Sequence, residues 1–80
     1  MNELKYIFHQ HNITLSKPII LIKSEKVTII SVKDVLNCVV GLRAKQRQRM
    51  ISNFQYLQND KSRLMNYCEL IANQMLTVRL

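Results

Sequence analysis

Steps of four and three residues from Met50 land on Phe54, Leu57, Lys61, Leu64, Cys68, Ile71, Met75 and Val78. Only Lys61 in this series is polar. A repeat averaging 3.5 residues holds one apolar stripe along one side of helical chain, and the stripe must find another helix to cover it. Neither Gly nor Pro occurs after Gly41, so helix is expected throughout the C-terminal half. The chain has 80 residues. A domain of that size buries only about 60–65% of the surface its unfolded form exposes and is marginal alone. The stripe is therefore expected to be completed by further copies, as a dimer or tetramer. Met50, Phe54, Leu57, Leu64, Cys68, Ile71, Met75 and Val78 form the expected oligomer interface.

Gln58-Asn59-Asp60-Lys61-Ser62 is polar and turn-capable. Asn59 suits the left-handed position after a helix, and Asp60 suits the cap of the next. Either one long helix runs from Val32 onward, as the unbroken heptad phase favours, or helices over about 32–58 and 61–77 fold back on each other. The second arrangement is preferred, because a short chain needs to cover its own stripe.

Upstream, Leu4, Ile7, Phe8 and His11 recur at helical spacing and predict a short amphipathic helix from Asn2 to His11. Asn12 and the β-branched Ile13 and Thr14 end it. Pro18 lacks a backbone donor and belongs at a strand start or edge. Ile19-Ile20-Leu21-Ile22 and Val27-Thr28-Ile29-Ile30 then read as two strands of a β-hairpin around Lys23-Ser24-Glu25-Lys26. That turn lacks the Asn-Gly signal of a tight hairpin. Both strands are apolar on both faces, which implies that both faces are covered.

Ser31 reads as a helix N-cap, with Asp34 placed to close a capping box. Val32, Val35, Leu36, Val39 and Val40 continue at helical spacing. Gly41 marks either close packing or a local weakness. The fold class that follows is α+β and mostly helical, in one small domain. Residues 1–30 form a short helix plus β-hairpin. Residues 31–80 form two long helices in an antiparallel, coiled-coil-like bundle completed by oligomerisation.

Lys and Arg number 12 against five acidic residues, for a net charge of +7. Such an imbalance favours an anionic partner such as nucleic acid, an acidic protein face or an anionic membrane. Arg43, Lys45, Arg47 and Arg49 alternate with uncharged residues and no acid. At about 100° per residue, alternation by two wraps charges around a helix rather than lining one face. Carried backwards, the heptad series meets Arg47 and Arg43, which interrupt its apolar stripe. These four cations are the candidate phosphate contacts, with Lys61 and Arg63 adding to the same field. The competing reading is a solvated segment that keeps an apolar chain soluble.

Other chemistry is poorly served. No Gly-rich phosphate loop, nucleophile elbow or pair of clustered carboxylates is present, so catalysis and a small-molecule substrate are not expected. His9 and His11 stand two apart, which on a helix aims them at different points. Cys38 and Cys68 lack metal-site spacing, so neither a metal nor another cofactor is expected. The N-terminus lacks a basic region followed by a long apolar run, and no apolar run spans a bilayer. A cytoplasmic chain without membrane contact and with two reduced thiols is expected, a Cys38–Cys68 disulfide being the less favoured reading. Phe54 lies on the stripe and is read as core. Tyr56 lies off it and is read as the most exposed aromatic. Met50, Met65 and Met75 are read as core in preference to an adaptable protein-binding groove.

Lys26-Val27-Thr28-Ile29-Ile30-Ser31-Val32, leading into a capped helix, loosely resembles the ribbon-helix-helix repressors. In that family, paired strands from two subunits enter the DNA major groove. The chain departs from the pattern in its long first helix, in the apolar strand before the ribbon and in Ile30 at an outward polar position. The resemblance covers these few residues only, and membership is not inferred from it. The expected function is regulatory: a transcription-related nucleic-acid-binding homo-oligomer. The alternative is a protein-binding modulator of antirepressor or inhibitor type that captures another regulator on an apolar helical or strand surface.

Overall fold

In the computed structural model the elements run α1 (Asn2–Gln10), β1 (Pro18–Lys23), β2 (Lys26–Ser31), α2 (Val32–Val40), α3 (Ala44–Tyr56) and α4 (Lys61–Val78). The backbone is described for residues 2–78 and the side chains for residues 3–75. The architecture is α+β, with four helices and one antiparallel hairpin.

Local chemistry sets most of the boundaries. Helix α1 stops where Asn12 adopts φ 57°. The Asn12 amide donates to His9 O at 2.9 Å and the Ile13 amide to Phe8 O at 3.0 Å. This is a Schellman closure, and its apolar partners Phe8 and Ile13 are both buried. Helix α2 begins as the capping box requires. Ser31 Oγ accepts the Asp34 amide at 3.2 Å, and the Asp34 carboxylate accepts the Ser31 amide at 2.9 Å. Loop carbonyls take the two remaining first-turn amides: Val32 donates to Lys17 O and Lys33 to Leu15 O. Asp60 starts α4 by accepting the Arg63 amide at 3.1 Å.

Three sequence expectations are corrected. The helix expected over 32–58 is two helices, α2 and α3, separated at Gly41-Leu42-Arg43. Gly41 caps α2 in an ordinary right-handed conformation, and a Cβ there would meet Cys38 O at 3.6 Å, an ordinary contact. Glycine is therefore not needed for close packing. It marks the weak point where the stripe gives way to Arg43 and Arg47. Asn59 is not left-handed, since among the described residues only Asn12, Ser24 and Glu25 carry positive φ outside glycine. The third correction concerns the hairpin, where only one face is covered. Ile19 and Leu21 are buried, whereas Ile20, Ile22, Val27 and Ile29 are exposed.

The heptad series is closed within the subunit. Phe54, Leu64, Cys68 and Ile71 are buried in the single chain, and Met50, Leu57 and Met75 are half-buried against the same core. Lys61 is exposed and begins α4. The side chain of Val78 lies outside the described residues. The series runs across a helix break at Leu57–Asp60, so no single helix carries it. Its two halves face a common core whose other walls are Leu4, Ile7 and Phe8 of α1, Ile19 and Leu21 of β1, and Val32, Val35, Leu36 and Val39 of α2. A second copy is not needed to cover this stripe.

The hairpin turn holds a local strain. Strands pair from Pro18↔Ser31 to Lys23↔Lys26, leaving a two-residue loop with Ser24 at φ 50° and Glu25 at φ 65°. A left-handed conformation costs an L-residue about 1–2 kcal/mol, and Asn-Gly is the pair that tolerates this loop best. Replacing Ser24-Glu25 by Asn-Gly is expected to stabilise the fold by about 1 kcal/mol, part of the relief being lost to glycine's unfolded-state entropy. Urea melts should show a higher midpoint at unchanged slope. A midpoint at or below that of the parent would mean the turn carries no such strain.

Candidate anion-binding surface and helical groove

The break after Gly41 creates a helix N-terminus inside the basic run. Arg43 is its N-cap in extended conformation, with no side-chain cap bond, and the first turn contains no acid. Among the described residues the amides of Ala44, Lys45 and Gln46 have no protein partner. Free first-turn amides carry the positive end of the helix dipole. They lie here among Arg43, Lys45 and Arg47. The start of α2 offers the opposite case, because its three amides are all taken and Asp34 stands beside them.

The helix divides the four cations into two pairs. Lys45 and Arg49, four apart, share one side of the helix and are exposed. Arg43 and Arg47 share the side leading toward the core, where Arg43 is exposed and Arg47 half-buried. Among the described residues none of the four has an ion-pair partner. Lys61 and Arg63 do not join them. They begin α4, beyond the far end of α3, about 15–20 Å from Arg47 at the helical rise of 1.5 Å per residue. Arg63 also pairs with Asp60 at 3.5 Å. The six expected phosphate contacts thus separate into one cluster of four and a distant pair.

Sequence reading missed a groove of about 1110 Å³ between α2, α3 and α4. Its apolar lining includes Cys38, Leu42, Met50, Leu70, Ile71 and Met75, and Asp34, Asn37, Gln46, Arg49, Asn53 and Gln74 supply polar groups. Met50 and Met75, expected as core, stand half-buried on its walls. The signal that would have found it was Gly41, where α2 ends and Leu42 enters the groove lining.

The aromatic residues divide as their spacing implies. Phe54 meets Phe8 edge to face at 5.8 Å between ring centroids and Tyr67 at 5.0 Å. Tyr67 Oη accepts a hydrogen bond from Asn53 Nδ2 at 2.9 Å. Tyr56 is 82% exposed and Tyr6 61%. His11 donates through Nε2 to Gln58 O and so ties the end of α1 to the α3–α4 loop. Among the described residues no three His, Cys, Asp or Glu side chains cluster as a metal site, and no helix is long and apolar enough to cross a membrane. No protein family, curated protein or solved structure matches the chain.

Both cysteines are free, Cys38 half-buried in the groove and Cys68 fully buried. Burial, and secondarily the charge of Glu69, pushes the Cys68 thiol from 9.0 up to about 12. The folded state thus resists forming a thiolate that the unfolded chain forms readily. That contribution to stability is complete below pH 9 and is lost progressively as pH rises toward 12. Cys68→Ala is expected to flatten the alkaline fall in stability, measured as denaturant midpoints from pH 8 upward against wild type. In the same range a thiol reagent should modify Cys38 of the native protein and reach Cys68 only on unfolding. Equal reactivity of the two thiols would overturn this assignment.

Proposed function

We propose that the chain is a non-enzymatic regulatory protein that acts as an assembly of copies and binds nucleic acid through phosphates held at the start of α3. The observation that carries this reading is the set of three amides without a protein partner among the described residues, surrounded by cations that have no carboxylate partner there. Phosphate oxygens accept from such amides and from Arg or Lys in the same arrangement. The net charge of +7 adds a long-range attraction for any polyanion. Contacts of this kind recognise the backbone and position the protein, and they carry no base preference by themselves.

Duplex binding should weaken steeply with salt, the log–log slope changing by about 0.9 for each phosphate contact. Replacing Arg43, Lys45, Arg47 and Arg49 together by Gln is expected to flatten that slope by about 2–4 and to abolish retention on heparin at moderate salt. Helix content is checked by circular dichroism. If the variant folds and its salt slope equals that of wild type, the basic run is not the contact surface.

The groove favours a second reading, a modulator that seats an amphipathic helix of a partner protein against Met50, Leu70 and Met75. Methionine adapts to irregular apolar partners. Binding by this route persists at high salt and is lost on Leu70→Arg, whereas phosphate binding is lost with salt and keeps Leu70→Arg affinity at least at the wild-type level.

A further inference from the structure

The outer face of the hairpin is an aliphatic plate with no charged group on it. Ile20 is 57% exposed, Ile22 73%, Val27 58% and Ile29 65%. The register places them as two direct cross-strand pairs, Ile20↔Ile29 and Ile22↔Val27. Strand alternation sends Lys23 and Lys26 to the opposite face, that of Ile19 and Leu21. Among the described residues the sheet has only these two strands, and none of those residues covers the plate.

We infer that this plate is where two copies of the chain meet, hairpin against hairpin. The inference names the contact for the assembly of copies proposed above and rests on that part of the reading. It does not depend on what the basic run binds. Three observations favour a second copy as the occupant. First, the four aliphatic residues offer no cation, donor or acceptor side chain for an acidic or polar partner, the Ser31 hydroxyl on the same face being held in the α2 capping box, and an uncharged aliphatic plate is matched best by another. Second, an antiparallel pair has a local two-fold axis through its middle, so the plate presents a similar surface in either direction and suits a symmetric contact. Third, the area is of the right order. The four side chains expose on the order of 450 Å² per copy, within the range where an exposed apolar patch on a small protein is often functional. Two copies therefore bring together about 900 Å². Pro18, exposed at the end of the same face, adds to a total that stays below the roughly 1,200 Å² at the lower end of specific interfaces. A contact of this size is weak, and dissociation in the micromolar range is expected.

Such an association is driven by apolar burial and opposed by the repulsion of two chains of charge +7. Salt screens the repulsion, so the dimer should tighten as salt rises, opposite to phosphate binding. The test is sedimentation equilibrium of the full chain from low micromolar to several hundred micromolar, at low and high salt. Wild type should pass from monomer to dimer across that range, at lower concentration in high salt. Ile22→Lys should stay monomeric with an unchanged circular dichroism spectrum. Ile20→Thr combined with Ile29→Thr keeps the β-branched shape, and should raise the dissociation constant about tenfold or more even if the lysine variant fails to fold. A wild-type chain that is monomeric throughout overturns the inference, and so does a dimer whose mass survives the threonine substitutions. Heparin retention is scored separately. A monomer still retained on heparin sinks the interface alone, whereas a dimer that is not retained sinks the phosphate reading alone.

Discussion

Phe54 is fully buried between Phe8 of α1 and Tyr67 of α4, in edge-to-face contact with both rings. Three helices distant in sequence are joined at this one side chain, and the remaining packing is arranged around it. The edge-to-face geometry adds direction to a burial term that has none. Removing such a ring costs about 3–5 kcal/mol, a large share of the 5–15 kcal/mol that holds a domain of this size. The Asn53–Tyr67 hydrogen bond fixes the ring that faces Phe54, so the register between α3 and α4 is set by a polar contact beside an apolar one.

That junction explains why the apolar series from Met50 to Met75 is covered without a partner. A continuous helix would hold all its residues on one side and leave them bare. The turn at Leu57–Asp60 folds the series back, and α1, β1 and α2 close over it. The cover consumes the inward face of the hairpin and the apolar face of α1. The outward face of the hairpin is what remains, four large aliphatic residues left exposed among the described residues.

Much of this was legible in the residues, wherever local chemistry decides the outcome. Ser31 with Asp34, Asp60 before α4, Asn12 after α1 and the spacing of Leu4, Ile7 and Phe8 each act within one turn, and each lies where the sequence places it. The misreadings arose where the outcome depends on the whole chain. Heptad phase continues across Leu57–Asp60 by coincidence of spacing, so it implied one stripe for one partner. The hairpin's uniform apolarity implied cover on both sides, but residue type cannot say how many layers an 80-residue chain can supply. Ser24 and Glu25 give no tight-turn signal because the strand register, closing at Lys23↔Lys26, puts them in a conformation their own propensities oppose. The basic run was visible as composition. Its division into a cluster at Arg43–Arg49 and a distant pair at Lys61 and Arg63 was not, because that follows from where the helices break.

The break at Gly41 joins fold and function. An uninterrupted helix through residue 43 would bond the amides of Ala44, Lys45 and Gln46 to carbonyls one turn earlier, and the cations would surround a helix interior with no free donors. Ending α2 at Val40 frees those amides within the basic stretch. At the same break Leu42 enters the lining of the groove, with Met50 and Met75. Arginine at 43 and 47 is what ends the apolar stripe there, since burying either guanidinium unpaired would cost several kcal/mol. The residues that interrupt the core are therefore the ones left beside the free amides at the start of α3. On the proposed reading, each subunit of a two-copy assembly would bring its own set of free amides and cations, and one polyanion spanning both sets would be held by two linked contacts. The second then forms at an effective concentration fixed by the geometry of the pair.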